Sequence, residues 1–121
     1  MANIMIVDDS GTMRKIISRS LRQAGLRVDE IYEAGDGFEG LSILSSGKNV
    51  GLILSDINMP NMDGIELVKC VRAQGCAIPI VMITTEGGED VIAEAISSGA
   101  TCSIKKPFTP EQLQEKLGGL L

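Results

Sequence analysis

Short apolar runs alternate along this chain with longer stretches in which apolar residues recur every three or four positions. Asn3-Ile4-Met5-Ile6-Val7 reads as a first strand, stopped by Asp8-Asp9-Ser10-Gly11. Over residues 12–24, Met13, Ile16, Ile17, Leu21 and Ala24 share one helical face, and Gly25 follows as a C′ residue. Arg14, Lys15, Arg19 and Arg22 lie mostly off that face, where they read as a solvated side that an acidic partner could also meet. Residues 27–34 form a second strand, less apolar and therefore nearer a sheet edge. Asp36-Gly37 then turns into a helix with Phe38, Leu41 and Leu44 on one stripe, ending near Gly47.

Val50-Gly51-Leu52-Ile53-Leu54 is the apolar run of a strand buried on both faces, and it ends at Ser55-Asp56. Asp63 reads as the N-cap of a helix that runs to about residue 73. Residues 78–83 form a fourth strand, with Pro79 near its start, where a missing donor is tolerated. A polar, flexible loop is expected over 84–88, then a helix over 89–98 with Ile92, Ala95 and Ile96 inward, closed by Gly99. Residues 100–105 are a weak fifth strand, and Thr109-Pro110-Glu111 caps and starts a last helix. Five β–α units predict an α/β fold, with a parallel sheet, helices on both faces and right-handed crossovers. No linker or repeat interrupts them, so one domain over 1–121 is expected.

Composition narrows the function. The 121 residues are 44% hydrophobic and 22% charged, and 11 basic against 16 acidic side chains leave a net charge of −5. That balance disfavours nucleic acid as a main partner. Met1-Ala2-Asn3-Ile4-Met5 lacks a basic leader, and no apolar run approaches about 18 residues, so neither export nor a membrane span is expected. Cys70, Cys76 and Cys102 are an odd, unpaired set that suits a reducing cytoplasm. The absence of histidine removes zinc sites of the usual kind and His-based triads.

The carboxyl edge of the predicted sheet gathers the chemistry. Strand ends carry Asp8-Asp9, Asp56, Thr84 and Lys106, and open α/β sheets place their ligands at that edge. Taken singly, Asp8-Asp9 would cap a helix, Thr84 would end a strand and Lys106 would be solvated. Together they put three acids against one base. Two carboxylates about 4 Å apart repel by roughly 4 kcal/mol at an effective dielectric near 20. A hard cation such as Mg2+, held by one or two carboxylates and water, resolves the imbalance, whereas a calcium loop would draw its acids from one spaced segment. With that cation, Asp56 can act as a nucleophile toward phosphorus, while Lys106 neutralises a moving oxygen and the Thr84 hydroxyl donates to another.

Val7-Asp8-Asp9-Ser10, the run Asp56-Ile57-Asn58-Met59-Pro60-Asn61-Met62-Asp63-Gly64, Ile83-Thr84-Thr85-Glu86 and Lys106-Pro107-Phe108 resemble, in order and spacing, the motifs of response-regulator receiver domains, above all the stand-alone chemotaxis regulators of the CheY type. The resemblance implies a flavodoxin-like, doubly wound five-stranded sheet of order 2-1-3-4-5, an order borrowed from folds of this class. It implies that Asp56 accepts a phosphoryl group from a partner histidine kinase. It further implies a Mg2+ site of Asp8, Asp9, Asp56 and Asn58, with Asp9 binding directly, Asp8 mainly through water and Asn58 through its main-chain carbonyl, Thr84 as the switch hydroxyl and Lys106 as its companion. A cis Lys106–Pro107 bond is expected on the same ground. Asn58 and Glu86 are the chemotaxis-like choices at positions that tune phosphate lifetime. The implied protein is a cytoplasmic monomer, catalysing only its own phosphorylation and dephosphorylation. Its implied partners are a histidine kinase, a target such as a flagellar motor switch protein, and a phosphatase.

One position departs from the pattern: Ser103 stands where the family carries an aromatic three residues before the Lys. That leaves a phosphate sink or a docking receiver open beside the motor-switch reading. A dehalogenase-type phosphohydrolase is the enzymatic rival, but it needs a second Asp where Asn58 stands. A flavodoxin-like electron carrier is opposed by the acidic first loop and by aromatics at only 2%.

Overall fold

The computed structural model describes residues 2–85 and 88–121; the expected loop over 84–88 lies partly, with Glu86, outside the described residues. Five strands, β1 (Ala2–Val7), β2 (Val28–Ala34), β3 (Leu52–Asp56), β4 (Ile80–Thr84) and β5 (Cys102–Lys105), alternate with five helices, α1 (Gly11–Gln23), α2 (Gly37–Ser45), α3 (Gly64–Ala73), α4 (Glu89–Ser98) and α5 (Pro110–Leu117). All pairings are parallel and the order is β2-β1-β3-β4-β5, as expected. The direction of winding reverses between β1 and β3, and the crevice at such a reversal is where this architecture binds ligands. The less apolar β2 is an edge strand.

Strand alternation sorts the core into two layers. Met5, Val7, Ile53, Ile80 and Met82 face Leu67, Val68 and Val71 of α3 and Ala95 of α4. Ile4, Ile6, Leu52, Leu54, Val81 and Ile83 face Ile17 and Leu21 of α1 and Leu113 and Leu117 of α5. Each fully buried Leu, Ile or Val contributes about 1.5–3 kcal/mol. A carboxylate at the end of β3 therefore sits on a rigid base.

The helix boundaries follow local chemistry. Ser10 caps α1 through its hydroxyl, which accepts from the Met13 N–H at 3.1 Å, so Asp8 and Asp9 are not the cap. Asp63 and Glu66 form a full capping box on α3, and Thr109 and Gln112 another on α5, where Pro110 opens the helix. The Lys106–Pro107 bond is cis. Among the described residues no helix is long and apolar enough to cross a membrane.

Three inward assignments fail. Ile16, Phe38 and Ile96 are 44%, 56% and 42% exposed. On α2 the sheet is met by Gly40, which lies against Met5 and Val7 and lets the helix approach closely, so Phe38 is turned outward. On α1 and α4 the neighbours Ile17 and Ala95 fill the inward positions.

Gly64 tolerates no side chain. A Cβ there would overlap the Asp56 carbonyl oxygen and the Met82 methyl, and its N–H donates to the Ile57 carbonyl at 2.8 Å. Backbone cannot yield as a side-chain tip can. Gly64→Ala is expected to lower stability by about 1–3 kcal/mol, read as a lower urea midpoint at unchanged slope. An unshifted midpoint would mean that the β3–α3 connection has room to spare.

Candidate functional site

The strand ends meet as the sequence predicts. Carboxylate oxygens of Asp8, Asp9 and Asp56 all lie within 4.8 Å of one another. At that separation each ionised pair repels by about 3–4 kcal/mol at an effective dielectric near 20. Asp8 is 2% exposed, Asp56 half-buried and Asp9 exposed. The Asp8 carboxylate accepts from the Ser10 N–H at 2.9 Å, and the Lys106 ammonium stands 3.5 Å from its other oxygen. Asp56 accepts from the Ile57 N–H at 2.8 Å. Burial pushes the Asp56 carboxyl above the ordinary aspartate range; Lys106 opposes that push, while Asp8 and Asp9 add to it.

One ammonium facing three carboxylates leaves the cluster two charges short of neutrality. Oxygen-only donors, one buried and two reachable, fit a hard divalent cation such as Mg2+. Beside the cluster, Asp56, Ile57, Asn58, Thr84, Thr85, Gly88, Val91 and Ile92 line a cavity of about 370 Å3. Asn58 and Thr84 thus share a wall with Asp56. Lys106 reaches the cluster from the other side, through Asp8. Glu86 lies outside the described residues. Ser103 borders a different hollow, with Ile104, Lys105, Gln112, Glu115 and Lys116.

Two supports escaped the sequence reading. Asn61, at φ 67°, donates through its side-chain amide to Asp36 at 2.8 Å, and the Gly37 N–H donates to the Met62 carbonyl at 3.3 Å. These bonds fasten the loop after Asp56 to the start of α2. Asn61 also draws the Asp36 carboxyl below its ordinary range, second to the Glu39 N–H. An Asn between Pro60 and Met62 was a readable signal, since Asn tolerates the left-handed conformation. The other support is Arg14, which belongs to the basic side of α1 and points at the main chain of Asp8. Nothing in the periodicity distinguishes it from its solvated neighbours.

Residues 4–118 match the response regulator receiver domain family. A chemotaxis protein CheY homolog of Campylobacter jejuni is 43% identical over 120 residues, covering 98% of this chain and 91% of that protein. Chemotaxis protein CheY1 of Helicobacter pylori is 43% identical over 116 residues, covering 94% and 92%. The solved structure of the chemotaxis response regulator CheY4 of Vibrio cholerae superposes with a TM-score of 0.84 at 40% identity, covering 100% of this chain and 99% of that one.

The raised pKa of Asp56 has a sign that can be measured. The native carboxyl holds its proton more tightly than the unfolded one, whose reference value is 3.8. Ionised Asp56 therefore costs stability, and that cost grows as pH rises through the window between the two values. Without divalent ions, Asp56→Asn is expected to unfold at a higher urea midpoint than wild type at pH 7, with the gap closing toward pH 4. Added Mg2+ should raise the wild-type midpoint more than the variant's. Equal midpoints at pH 7 in chelator would contradict a strained Asp56.

Proposed function

This chain belongs to the response regulator receiver family, and from that premise we propose that it is a phosphorylation-dependent switch of a two-component chemotaxis pathway, with residues 1–121 as one receiver domain. The observation that carries the reading is the convergence of Asp8, Asp9 and Asp56 within 4.8 Å, with Lys106 against Asp8 and Thr84 and Asn58 on the wall beside Asp56. Proteins of the CheY type are signalling proteins rather than enzymes acting on a separate substrate.

In this reading Asp56 is the phosphoacceptor, and a histidine kinase is the donor. Asp9 is exposed and offers a direct ligand to Mg2+. Asp8 is buried, with both oxygens already engaged, and acts through water. Asp56 and the Asn58 main-chain carbonyl would complete the protein's ligands. When bound, Mg2+ supplies positive charge on the side of the carboxylates. Asp56 attacks the donor's phosphorus and forms an acyl phosphate as the bond to the donor nitrogen breaks. Lys106 neutralises a phosphoryl oxygen, and the Thr84 hydroxyl donates to another. Hydrolysis of the acyl phosphate returns Asp56 to a carboxylate. A motor-switch protein is the proposed target and a phosphatase a proposed partner; the relatives' names place them in chemotaxis. Ser103 favours a second reading, a phosphate sink whose phosphorylation drains the kinase without changing a target's affinity.

Intact mass after incubation with acetyl phosphate tests the chemistry. One added phosphoryl group is expected with Mg2+, none with chelator and none in Asp56→Asn, while Lys106→Ala and Thr84→Ala accumulate less adduct or lose it more slowly. Beryllofluoride, a stable mimic, covers the case of a short-lived adduct. Failure of both the adduct and the mimic would overturn the switch reading. Binding of a motor-switch peptide that is indifferent to beryllofluoride would favour the sink.

A further inference from the structure

Asp8 and Asp9 are joined by one peptide plane, and the tilt of that plane aims both side chains. The structure fastens it from outside. The Asp8 carbonyl, which belongs to that plane, accepts from Arg14 Nη1 at 2.6 Å, while the Asp8 N–H, in the plane before it, donates to the Ala34 carbonyl at 3.0 Å. Arg14 is itself fixed, because its Nε donates to Glu33 Oε1 at 2.9 Å. The fork of one guanidinium thus ties the turn after β1 to the edge strand β2.

The placement of Arg14 runs against local preference. It sits at the opening of α1, a helix with no acid in its first turn, where the helix dipole disfavours a cation. Lys15 follows it and reaches Glu33 Oε2 at 2.9 Å, but that side chain is 72% exposed. Arg14 is only 22% exposed. Local rules broken without local gain are characteristic of positions held for function.

We infer that Arg14, braced by Glu33, is a positioning residue that presets the Asp8–Asp9 peptide for Mg2+. The inference rests on the reading of Asp8, Asp9 and Asp56 as the Mg2+ cluster. Groups that orient first ligands typically change metal affinity by about 10–100-fold when removed. The sign separates positioning from plain electrostatics. Deleting a cation beside an acidic cluster should tighten Mg2+ binding, whereas releasing the peptide should weaken it.

Calorimetric titration with Mg2+ alone, on the purified chain, makes the measurement. Arg14→Ala is expected to bind Mg2+ about tenfold more weakly than wild type. Arg14→Lys keeps the charge but cannot serve Asp8 and Glu33 from one planar fork, and should weaken binding in the same direction. Glu33→Gln should follow, and Lys15→Ala should stay within about twofold of wild type, as expected of an exposed ion pair. Thermal melts in chelator accompany each variant. Should Arg14→Ala fail to fold, Arg14→Lys carries the test, because Glu33→Gln would weaken Mg2+ binding through lost negative charge alone. Mg2+ binding by folded Arg14 variants as tight as wild type, or tighter, would overturn the positioning role and leave the cluster reading standing. A wild-type chain that binds no Mg2+ while Asp56→Asn behaves identically would overturn both.

Discussion

Mutual repulsion among Asp8, Asp9 and Asp56 is the constraint on which the rest of the structure turns. Three carboxylates within 4.8 Å of one another would separate if the chain let them. It does not, because β1 and β3 are paired in register from Ile4–Leu52 to Val7–Ser55 and buried on both faces. The acids are carried by the ends of strands that cannot move apart without opening both core layers. Lys106, the Ser10 N–H and the Ile57 N–H take up part of the negative charge. Burial raises the proton affinity of Asp56, and the charges of Asp8 and Asp9 add to that push. Stability given up at one place in this way is a usual mark of a functional site.

The loops around the cluster are held with corresponding care. Gly64 brings α3 against the Asp56 main chain, and Met62 is buried beneath Gly37. The Asn61–Asp36 bond ties that loop to α2, and Arg14 ties the turn after β1 to β2. Farther away, Arg72 donates to the carbonyls of Gly99, Cys76 and Ile78, joining the ends of α3 and α4 to the approach to β4. Most of these bonds end on a main-chain group or a capping residue. The scaffold positions backbone first, and side chains of the cluster inherit their aim.

That pattern explains what could be read from the chain alone. Element order, sheet direction and the meeting of Asp8, Asp9, Asp56, Thr84 and Lys106 follow from periodicity and from where apolar runs stop. The strand order does not; it came from resemblance. Periodicity also misjudged Phe38, because a glycine at position 40 can replace a large residue at a close helix–sheet contact, and no hydrophobicity pattern scores a glycine as core. Ile16 and Ile96 were misassigned because an apolar stripe is wider than the face a helix actually buries. Arg14 and Asn61 were missed for a different reason. Their partners are a carbonyl and a distant carboxylate, and tertiary hydrogen bonds leave no period in the sequence.

Ser103 bears on how a change at Asp56 could reach the surface. Any switch needs a group whose contacts differ between two states. An aromatic on β5 is not available, and Ser103 pairs in register with Met82 while bordering a hollow near Gln112 and Lys116, away from the Asp56 cavity. Asp56, Thr84 and Thr85 line one cavity with Gly88, Val91 and Ile92 of the opening turn of α4. That turn begins at Gly88 without a side-chain cap, whereas the far end of α4 is tied to Arg72 through the Gly99 carbonyl. The helix is thus tied at the end remote from the cluster, and its N-terminal end, where negative charge is favourable, lies near it. Val91, 41% exposed on the same turn, would carry such a shift to the surface. In this chain the wall beside Asp56 reaches an exposed side chain on α4 without an aromatic on β5.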